Sequence, residues 1–279
     1  MARIALILHR LDLMYHGLIP RPVYDITLTT RELARRGHTV FTVRDPGRFI
    51  PADAAILHVD CSVVPEAYLE LASRYPRCLN GRCGDITKRH VSGAQIALHP
   101  TWAGPVIVKS NLNHGGGPER ALNRHARWFQ MATPFPGLPP PFSYRVFDRL
   151  VDVPESLGSD PDLVVEIFNP ERVNGGYGVH SWQFMGDNGY VYFARGPDPV
   201  VRFSVAEAVE FRLLPDLEVE RARIGLDFGK IDYILLDGKP LVIDANKTVG
   251  NASRPGWRAP DRNGEDLRSN ALERALGIA

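Results

Sequence analysis

The stretch from Lys230 to Gly250, KIDYILLDGKPLVIDANKTVG, constrains the fold of this chain more than any other. Two apolar runs, Tyr233 to Leu236 and Leu241 to Ile243, flank the dipeptide Asp237-Gly238. Asp-Gly between apolar runs favours a tight turn that joins two antiparallel strands. The sequence therefore predicts a β-hairpin.

Polar residues interrupt the apolar pattern of this hairpin at Asp232, Asp244 and Asn246. A two-residue loop would pair Asp232 with Ile243 and send Asp244 to the opposite face, because side chains alternate along a strand. A three-residue loop, Asp237-Gly238-Lys239, places Asp232 directly opposite Asp244, with Asn246 on the same face. The register of the hairpin therefore decides whether the three side chains meet.

The three polar side chains then form a candidate metal site. Two carboxylates that face each other destabilise a sheet unless a cation lies between them. Mg²⁺ prefers oxygen ligands and keeps coordination positions for water and for substrate phosphates. Asp232, Asp244 and Asn246 are therefore predicted magnesium ligands. The alternative is a solvated hairpin with ordinary surface aspartates.

Length and composition are those of a large soluble globular protein. The 279 residues suffice for two lobes, and 44% of them are hydrophobic and 23% charged. A formal net charge of +1 gives no basic surface for nucleic acid. No apolar stretch approaches the roughly 18 residues of a membrane span. The first residues, MARIALILHRLDL, predict a strand and not a signal peptide.

The three cysteines, Cys61, Cys78 and Cys83, contain no C-x-x-C pair. An odd number without such a pair favours free thiols in a reducing cytosol over disulfides or a zinc site. We therefore expect a cytoplasmic protein. Cys61 follows Asp60 at a predicted strand end and is a candidate reactive thiol, although cysteines at such positions are more often small buried hydrophobic residues.

Strands and helices alternate in the first part of the chain. The predicted strands are 4–8, 39–43 and 54–59, and the predicted helices are 24–36 and 65–75. This alternation predicts a small parallel sheet covered by helices. Open parallel sheets bind ligands at the carboxyl ends of their strands, so His9, Arg10 and Asp60 are candidates for holding a second substrate. The alternative for each is a local hydrogen bond to a loop.

A candidate phosphate-binding segment follows. A strand over 106–108 ends in Lys109, and the next turn contains Gly115, Gly116 and Gly117. Glycines let backbone N–H groups approach phosphate oxygens, while a lysine supplies a point charge. Since the GxxxxGK[ST] spacing of a P-loop is missing, this signal is weak by itself.

The remaining elements are mostly predicted strands. These are 144–148, 163–168, 190–194 and 199–203, together with a proline-rich surface loop over 134–143 and helices over 205–211 and from Gly264 onwards. Glu166 stands inside an apolar strand. A charged group there needs a partner, unless it lies on the exposed face of an edge strand.

The order of these features resembles the ATP-grasp superfamily, which includes D-alanine ligase, glutathione synthetase and the ribosomal-protein glutamate ligases. The features are a strand that ends in lysine, a glycine loop, a strand with an embedded glutamate, and the Asp, Asp, Asn hairpin. The resemblance covers residues 80 to 255. It implies an α/β fold, α+β in the C-terminal part, with a Rossmann-like N-terminal domain over 1–86, an ATP-grasp domain over 87–262 and a closing helix over 263–279.

The resemblance also implies a role for each candidate residue. Lys88 and Lys109 would contact the phosphates of ATP, and Gly115 to Gly117 would form a flexible loop over them. Glu166 to Phe168 would bind adenine, and Glu171 the ribose hydroxyls. Mg²⁺ ions would be held by Asp232, Asp244 and Asn246, and the catalytic residues would be Arg195, which faces the reacting group, and Lys109.

The implied activity is ATP-dependent ligation. A substrate carboxylate attacks the γ-phosphate of ATP to give an acylphosphate, which an amine then attacks, and ADP and phosphate are released. Phosphoryl transfer requires positioning and charge neutralisation, which lysines and a magnesium site provide without a protein nucleophile. The expected partners are small-molecule or peptide carboxylates and amines, with no nucleic acid and no membrane, and a homodimer is expected.

Some positions depart from the superfamily's pattern. Asp244 stands where glutamate is commoner, Val249 replaces the proline before Gly250, and the interval between Lys88 and Lys109 is short. The short interval and the unusual glycine loop favour a first alternative, a nucleotide-binding or regulatory protein of the same fold that has lost ligation. A second alternative is a phosphotransferase that stops at a stable phosphorylated product.

Overall fold

The computed structural model of the chain describes residues 1–13, 24–173, 175–201, 205–208, 214–250 and 262–279. These residues form a mixed α/β structure with one parallel sheet and two antiparallel sheets. Within them, no helix is both long and apolar enough to cross a membrane.

A four-stranded parallel sheet forms the N-terminal part, as the alternation of elements predicts. Its strands are β1 (Arg3–Ile7), β2 (Thr39–Val43), β3 (Ala54–Leu57) and β4 (Cys78–Leu79), in the order β2-β1-β3-β4. Helices α1 (Asp25–Arg35) and α2 (Glu66–Ser73) follow β1 and β3. Their bounds agree with the predicted helices to within two residues.

Both faces of this sheet are covered, which explains why β1 is apolar at consecutive positions. Ile4 and Leu6 pack in one core with Leu33 of α1 and with the C-terminal helix α7 (Arg262–Leu276). Ile7 packs in a second core with Leu71 of α2. The C-terminal helix therefore closes the N-terminal sheet.

A three-stranded antiparallel sheet comes next. Its strands are β5 (Val106–Ser110), β6 (Arg145–Phe147) and β7 (Leu163–Ile167), in the order β6-β5-β7. Three helices accompany it: α3 (Lys88–Val91), α4 (Gly117–Trp128) and α5 (Glu155–Gly158). Helix α4 was not predicted from the sequence; it begins at Gly117, the last of the three glycines, with Pro118 in its first turn.

The largest sheet is antiparallel. Its strands are β8 (Glu171–Val173), β9 (Gly176–Met185), β10 (Asn188–Gly196), β11 (Val205–Ala208), β12 (Phe228–Leu236) and β13 (Lys239–Asn246). Their order is β11-β10-β9-β12-β13, and β8 also pairs with β9. Helix α6 (Pro215–Ile224) covers one face, where its Leu217 packs with Trp182, Ile231 and Tyr233. Alternation along the strands leaves the opposite face for polar residues.

Two predicted elements are wrong. The predicted helix over 205–211 is a strand over Val205–Ala208, where pairing with β10 overrides local helix preference, and residues 209–211 lie outside the described ranges. Residues 199–201 of the predicted strand over 199–203 form no strand, and residues 202 and 203 are outside the described ranges. Pro199 lacks the N–H that a strand ladder needs.

Candidate nucleotide and metal site

The turn of the β12–β13 hairpin contains two residues. Leu236 pairs with Lys239, so that only Asp237 and Gly238 connect the strands. Both have positive φ, 51° and 78°, as the commonest two-residue hairpin turn requires. Of the two loop lengths considered from the sequence, the two-residue loop is therefore the one that forms.

A β-bulge nevertheless brings the two aspartates opposite each other. Tyr233 pairs with Val242, but the ladder shifts at the next position, and Asp232 pairs with Asp244. Ile243 is the extra residue of the bulge. The predicted pairing of the aspartates is confirmed, but the bulge produces it and not the length of the loop.

Lys230 lies on the same face and was missed by the sequence analysis. It pairs with Asn246 in the ladder, and its Nζ lies 2.8 Å from Oδ2 of Asp232. Ser181 of β9 donates to the other oxygen, Oδ1, so both carboxylate oxygens of Asp232 have a hydrogen-bond donor. The K-x-D spacing was the signal that could have revealed Lys230, because alternate residues of a strand share a face.

Lys88 is the first residue of α3 and pairs with Asp244. Its Nζ lies 3.1 Å from Oδ1 of Asp244, and its side chain is almost completely buried. Burial by itself would lower the pKa of Lys88, but the Asp244 carboxylate, with smaller contributions from Tyr144 and Glu166, raises it above the usual lysine value. Burial would likewise raise the pKa of Asp244, but the lysines around it hold that pKa below its usual value.

Lys109 and Glu166 form the third pair. Lys109 lies on β5 and Glu166 on the adjacent strand β7, and their side chains form a buried ion pair. Nζ of Lys109 also lies 3.4 Å from the carbonyl oxygen of Ile243, the bulge residue. The charge of Glu166 thus has the partner that an embedded glutamate requires.

These pairs line one cavity of about 460 Å³ between the two antiparallel sheets. The cavity has a charged end at the hairpin and an apolar wall that includes Ile107, Ile167, Val179 and Ile234. Of the predicted site residues, it brings together Lys88, Lys109, Glu166, Phe168, Asp232, Asp244 and Asn246.

The predicted glycine loop contributes His114 to the cavity, and not the three glycines that were expected there. Gly115 and Gly116 have positive φ in a short turn before α4, but the three glycines are not among the residues that line the cavity. His114 of the same turn does line it, and its Nε2 lies 3.4 Å from Nδ2 of Asn246. His114 is a second residue that the sequence analysis missed, and no motif in the sequence points to it.

Glu171 and Arg195 lie beside the cavity. Glu171 of β8 and Arg195 of β10 both pair with Gly178 of β9, one on each side of that strand. Gly178 itself lines the cavity wall. Glu171 is 2.9 Å from Nε2 of His180, and the Arg195 guanidinium lies over the ring of Phe193. Their predicted roles towards ribose and the reacting group stay predictions.

Asp60 and His9, two of the three candidates at the N-terminal sheet, have different surroundings. Asp60 accepts hydrogen bonds from Tyr24 at 2.8 Å and from Thr248, two residues beyond Asn246, at 2.6 Å. His9 is buried and accepts from the backbone N–H of Leu11, which is the local hydrogen bond named as the alternative. Burial, with Arg10 and Arg44 nearby, lowers the pKa of His9 to about 4.

The donor set on the hairpin suits a hard cation. It consists of two carboxylates and one amide oxygen, the kinds of ligand that Mg²⁺ takes in proteins. Within the described ranges, no group of three or more His, Cys, Asp or Glu side chains is placed to hold a metal ion. The lysines of the same cavity suit phosphate oxygens.

Comparison with solved structures identifies the fold. The chain is similar to the ATP-grasp ligase PsnB, whose structure contains a phosphomimetic variant of a minimal precursor, Mg and ADP. The two chains are 13% identical, the match covers 97% of this chain and 98% of that chain, and the TM-score is 0.53. It is similar to a RimK-domain ATP-grasp protein from Sphaerobacter thermophilus, with 15% identity, coverage of 100% and 99%, and a TM-score of 0.51. For D-alanine–D-alanine ligase from Bacillus anthracis complexed with ATP, the identity is 12%, the coverage 99% and 96%, and the TM-score 0.50.

The predicted resemblance to the ATP-grasp superfamily is therefore confirmed at the level of the fold, over almost the whole chain. No protein-family model matches the chain, and no curated protein sequence does.

Proposed function

We propose that this chain, which has the ATP-grasp fold, is an ATP-dependent ligase that joins a carboxylate to an amine through an acylphosphate. The observation that carries the proposal is the single cavity in which Lys88 and Lys109 lie with Asp232, Asp244 and Asn246. Two of the similar structures are of ligases, one with Mg and ADP and one with ATP, which supports ATP and Mg²⁺ as the cofactors.

The proposed orientation of ATP follows from the polarity of the cavity. Its apolar wall, with Phe168 and the backbone of Glu166 to Phe168, suits the adenine ring, and Glu171 beside the wall suits the ribose hydroxyls. Its charged end suits the triphosphate, because two lysines there supply positive charge. We propose that the Glu166 carboxylate orients Lys109, since the two form a buried ion pair.

In the proposed reaction, a carboxylate oxygen of the first substrate forms a bond to the γ-phosphorus while the bond to the β,γ-bridging oxygen breaks. The amine nitrogen then forms a bond to the acyl carbon, loses a proton, and phosphate leaves. Lys88 and Lys109 neutralise the phosphates, and a bound Mg²⁺ would add further charge neutralisation on them. Arg195 and Lys230 are the cations proposed to face the reacting group.

The proposed domain organisation places a Rossmann-like domain over residues 1–86, the ATP-grasp domain over 87–262 and a closing helix over 263–279. Its support is the parallel order β2-β1-β3-β4 in the first part and the packing of α7 against α1. The proposed substrates are small-molecule or peptide carboxylates and amines, the kinds of molecule that ligases of this fold join.

Calorimetric titration tests the cofactor part of the proposal. A non-hydrolysable ATP analogue is expected to bind the wild type, more tightly with Mg²⁺ than without. In Asp244→Asn the Mg²⁺ dependence should disappear, whereas Asp237→Asn, the same change of charge in the exposed turn, should behave as the wild type. Asparagine tolerates the positive φ of residue 237, so this control should fold normally. Absence of binding to the wild type would contradict the proposed function.

Hydroxylamine tests the ligase part. It traps an acylphosphate as a hydroxamate but does not react with an ordinary phosphoester. Candidate carboxylates should therefore give hydroxamate and ADP in the presence of ATP. Formation of ADP with a stable phosphoester would instead favour a phosphotransferase of this fold, and nucleotide binding without ADP would favour the binding or regulatory protein.

A further inference from the structure

The side chain of Asn246, one of the three candidate metal ligands, is contacted at both of its amide atoms. Its Oδ1 accepts from the backbone N–H of Thr248 at 2.9 Å, and its Nδ2 lies 3.4 Å from Nε2 of His114. An amide oxygen that accepts one hydrogen bond keeps a lone pair for a cation. The orientation of this ligand therefore depends on the two segments that carry Thr248 and His114.

Thr248 is held by Asp60, which lies in the loop between β3 and α2 of the N-terminal part (residues 58–65). The hydroxyl of Thr248 is 2.6 Å from Oδ1 of Asp60 and 3.2 Å from Oδ1 of Asn246. A hydroxyl has one proton, and hydrogen bonds to a carboxylate are stronger than those to an amide oxygen, so Thr248 donates to Asp60. Tyr24 donates to the other carboxylate oxygen, Oδ2, at 2.8 Å, so the Asp60 carboxylate is itself held in place.

Two backbone contacts hold the same segment. The N–H of Asp25 donates to the carbonyl oxygen of Val249 at 3.0 Å, and Tyr24 forms an antiparallel bridge with Gly250. Residues 248–250, which follow β13 almost directly, therefore run along the start of α1. The position of Thr248 is thus set by the N-terminal part of the chain.

The loop between β3 and α2 also holds the turn that carries His114. The hydroxyl oxygen of Ser62, two residues beyond Asp60, accepts from the backbone N–H of Asn113 at 2.9 Å, and both residues are buried. The backbone N–H of Ser62 in turn donates to the carboxylate of Glu119 in the first turn of α4. One loop therefore contacts both segments that lie against the amide of Asn246.

We propose that the loop between β3 and α2 positions Asn246 for a divalent cation. Asp60 acts through Thr248, and Ser62 acts through the turn that carries His114, so both are positioning residues. The inference gives Asp60 this role in place of the one expected from the sequence, which was to hold a second substrate. It rests on the proposed binding of ATP and Mg²⁺, and it makes metal-dependent nucleotide binding a property of the N-terminal sheet as well.

Thr248→Val tests the link through Asp60, because valine keeps the shape of threonine but has no hydroxyl. Calorimetry measures binding of a non-hydrolysable ATP analogue with and without Mg²⁺, in the absence of any second substrate. Binding with Mg²⁺ should weaken about fivefold, as expected for loss of one hydrogen bond, and binding without Mg²⁺ should change much less. Asp60→Ala should have the same effect, and the double variant should be no weaker than either single one, because both changes remove one contact.

Matched variants separate this effect from a general loss of structure. Thr248→Ser keeps the hydroxyl and should bind as the wild type does. Thr39→Val makes the same change at an exposed threonine and should also bind normally. Ser62→Ala acts on the other segment and should show the same Mg²⁺-specific weakening. It decides the inference even if Thr248→Val and Asp60→Ala do not fold.

Equal weakening with and without Mg²⁺, or no weakening, would overturn the inference and leave the proposed function intact. Unchanged nucleotide binding in Asp60→Ala, together with a raised KM for the amine, would overturn it too and would support the role expected for Asp60 from the sequence. No binding of the analogue to the wild type under either condition would overturn both the inference and the proposed function.

Discussion

Lys88 and Asp244 are 156 residues apart in the sequence, yet Nζ of Lys88 lies 3.1 Å from Oδ1 of Asp244. The contact joins α3 to the second strand of the hairpin and is almost completely buried on the lysine side. The contact therefore connects the segment before the three-stranded sheet to the candidate metal site. Each of the two charged side chains also shifts the pKa of the other.

The first prediction concerns the pH dependence of this pair. The folded pKa of Asp244 is lowered below 3.8, so its contribution to stability is present above that value and is lost as the pH falls through the folded pKa. The folded pKa of Lys88 is raised above 10.5, so its contribution is present below 10.5 and is lost as the pH rises through the folded pKa. Between pH 3.8 and pH 10.5, the contribution of the pair to the free energy of unfolding should therefore not change with pH.

Lys88→Met should lower the free energy of unfolding by about 3 kcal/mol at neutral pH, because it leaves Asp244 without its nearest cation. The acid limb of the stability profile should move to higher pH. Urea unfolding between pH 3 and 9 measures both effects, with Lys239→Met as the control for loss of an exposed lysine. An unchanged acid limb would mean that Lys88 does not hold the charge of Asp244.

The second prediction concerns the three free cysteines. Burial raises the pKa of Cys61 to about 12, of Cys78 to about 12 and of Cys83 to about 11. Since the thiolate is the reactive form, a thiol reagent at pH 7.5 should label the folded protein slowly and the unfolded protein at all three positions. Rapid labelling of Cys61 in the folded protein would instead support the reactive thiol considered from the sequence.

The hairpin illustrates what the sequence predicts well. Asp237-Gly238 between two apolar runs has few conformations available, so the turn and its strands follow from local chemistry. The bulge at Ile243 does not, because nothing in VID distinguishes an extra residue from a regular one. The register of the aspartates is therefore a property of the folded sheet.

Local sequence patterns also do not predict which residues distant in the sequence become partners in the fold. The sequence predicts that Glu166 needs a partner, but Lys109 becomes that partner only because β5 and β7 are neighbours in the sheet. Val205–Ala208 likewise has a helical composition and becomes a strand through pairing with β10. Strand order, which these residues do not encode locally, decides both cases.

The third prediction concerns Asn80, which joins the end of the parallel sheet to β12. Its Oδ1 accepts from the backbone N–H of Asp227 at 2.7 Å, and its Nδ2 donates to the carbonyl of Phe228 at 3.0 Å. Asn80→Ala should lower the free energy of unfolding by about 3 kcal/mol, since it leaves buried backbone groups unpaired. Denaturant unfolding measures this loss.

The loss in Asn80→Ala would have two causes, the missing hydrogen bonds and the backbone conformation of residue 80, and Asn80→Gly separates them. Asn80 has φ of 56°, a conformation that costs alanine but not glycine about 1 kcal/mol. The glycine variant should therefore be more stable than the alanine variant while still lacking the hydrogen bonds. Equal stability of Asn80→Gly and wild type would show that the hydrogen bonds contribute nothing.

The fourth prediction concerns Gly178 in the cavity wall. A Cβ at this position would overlap the ring of Phe193, whereas a Cβ at the exposed Gly137 would meet nothing. Gly178→Ala should lower the free energy of unfolding by about 2 kcal/mol through overpacking, and Gly137→Ala should leave it unchanged. Because Gly178 pairs with both Glu171 and Arg195, Gly178→Ala should also weaken nucleotide binding. Normal binding with full stability would contradict the tight packing of this wall.

The last prediction concerns His114, the residue of the glycine turn that lines the cavity. Its Nε2 lies 3.4 Å from Nδ2 of Asn246, whose amide is a candidate metal ligand. Loss of one such contact costs about 1 kcal/mol, so His114→Ala should weaken binding of an ATP analogue with Mg²⁺ about fivefold. Binding without Mg²⁺ should change less, because the contact acts through Asn246. Calorimetry compares the two conditions, with the exposed His90→Ala as the control. Equal weakening in both conditions would mean that His114 contacts the nucleotide and does not position Asn246.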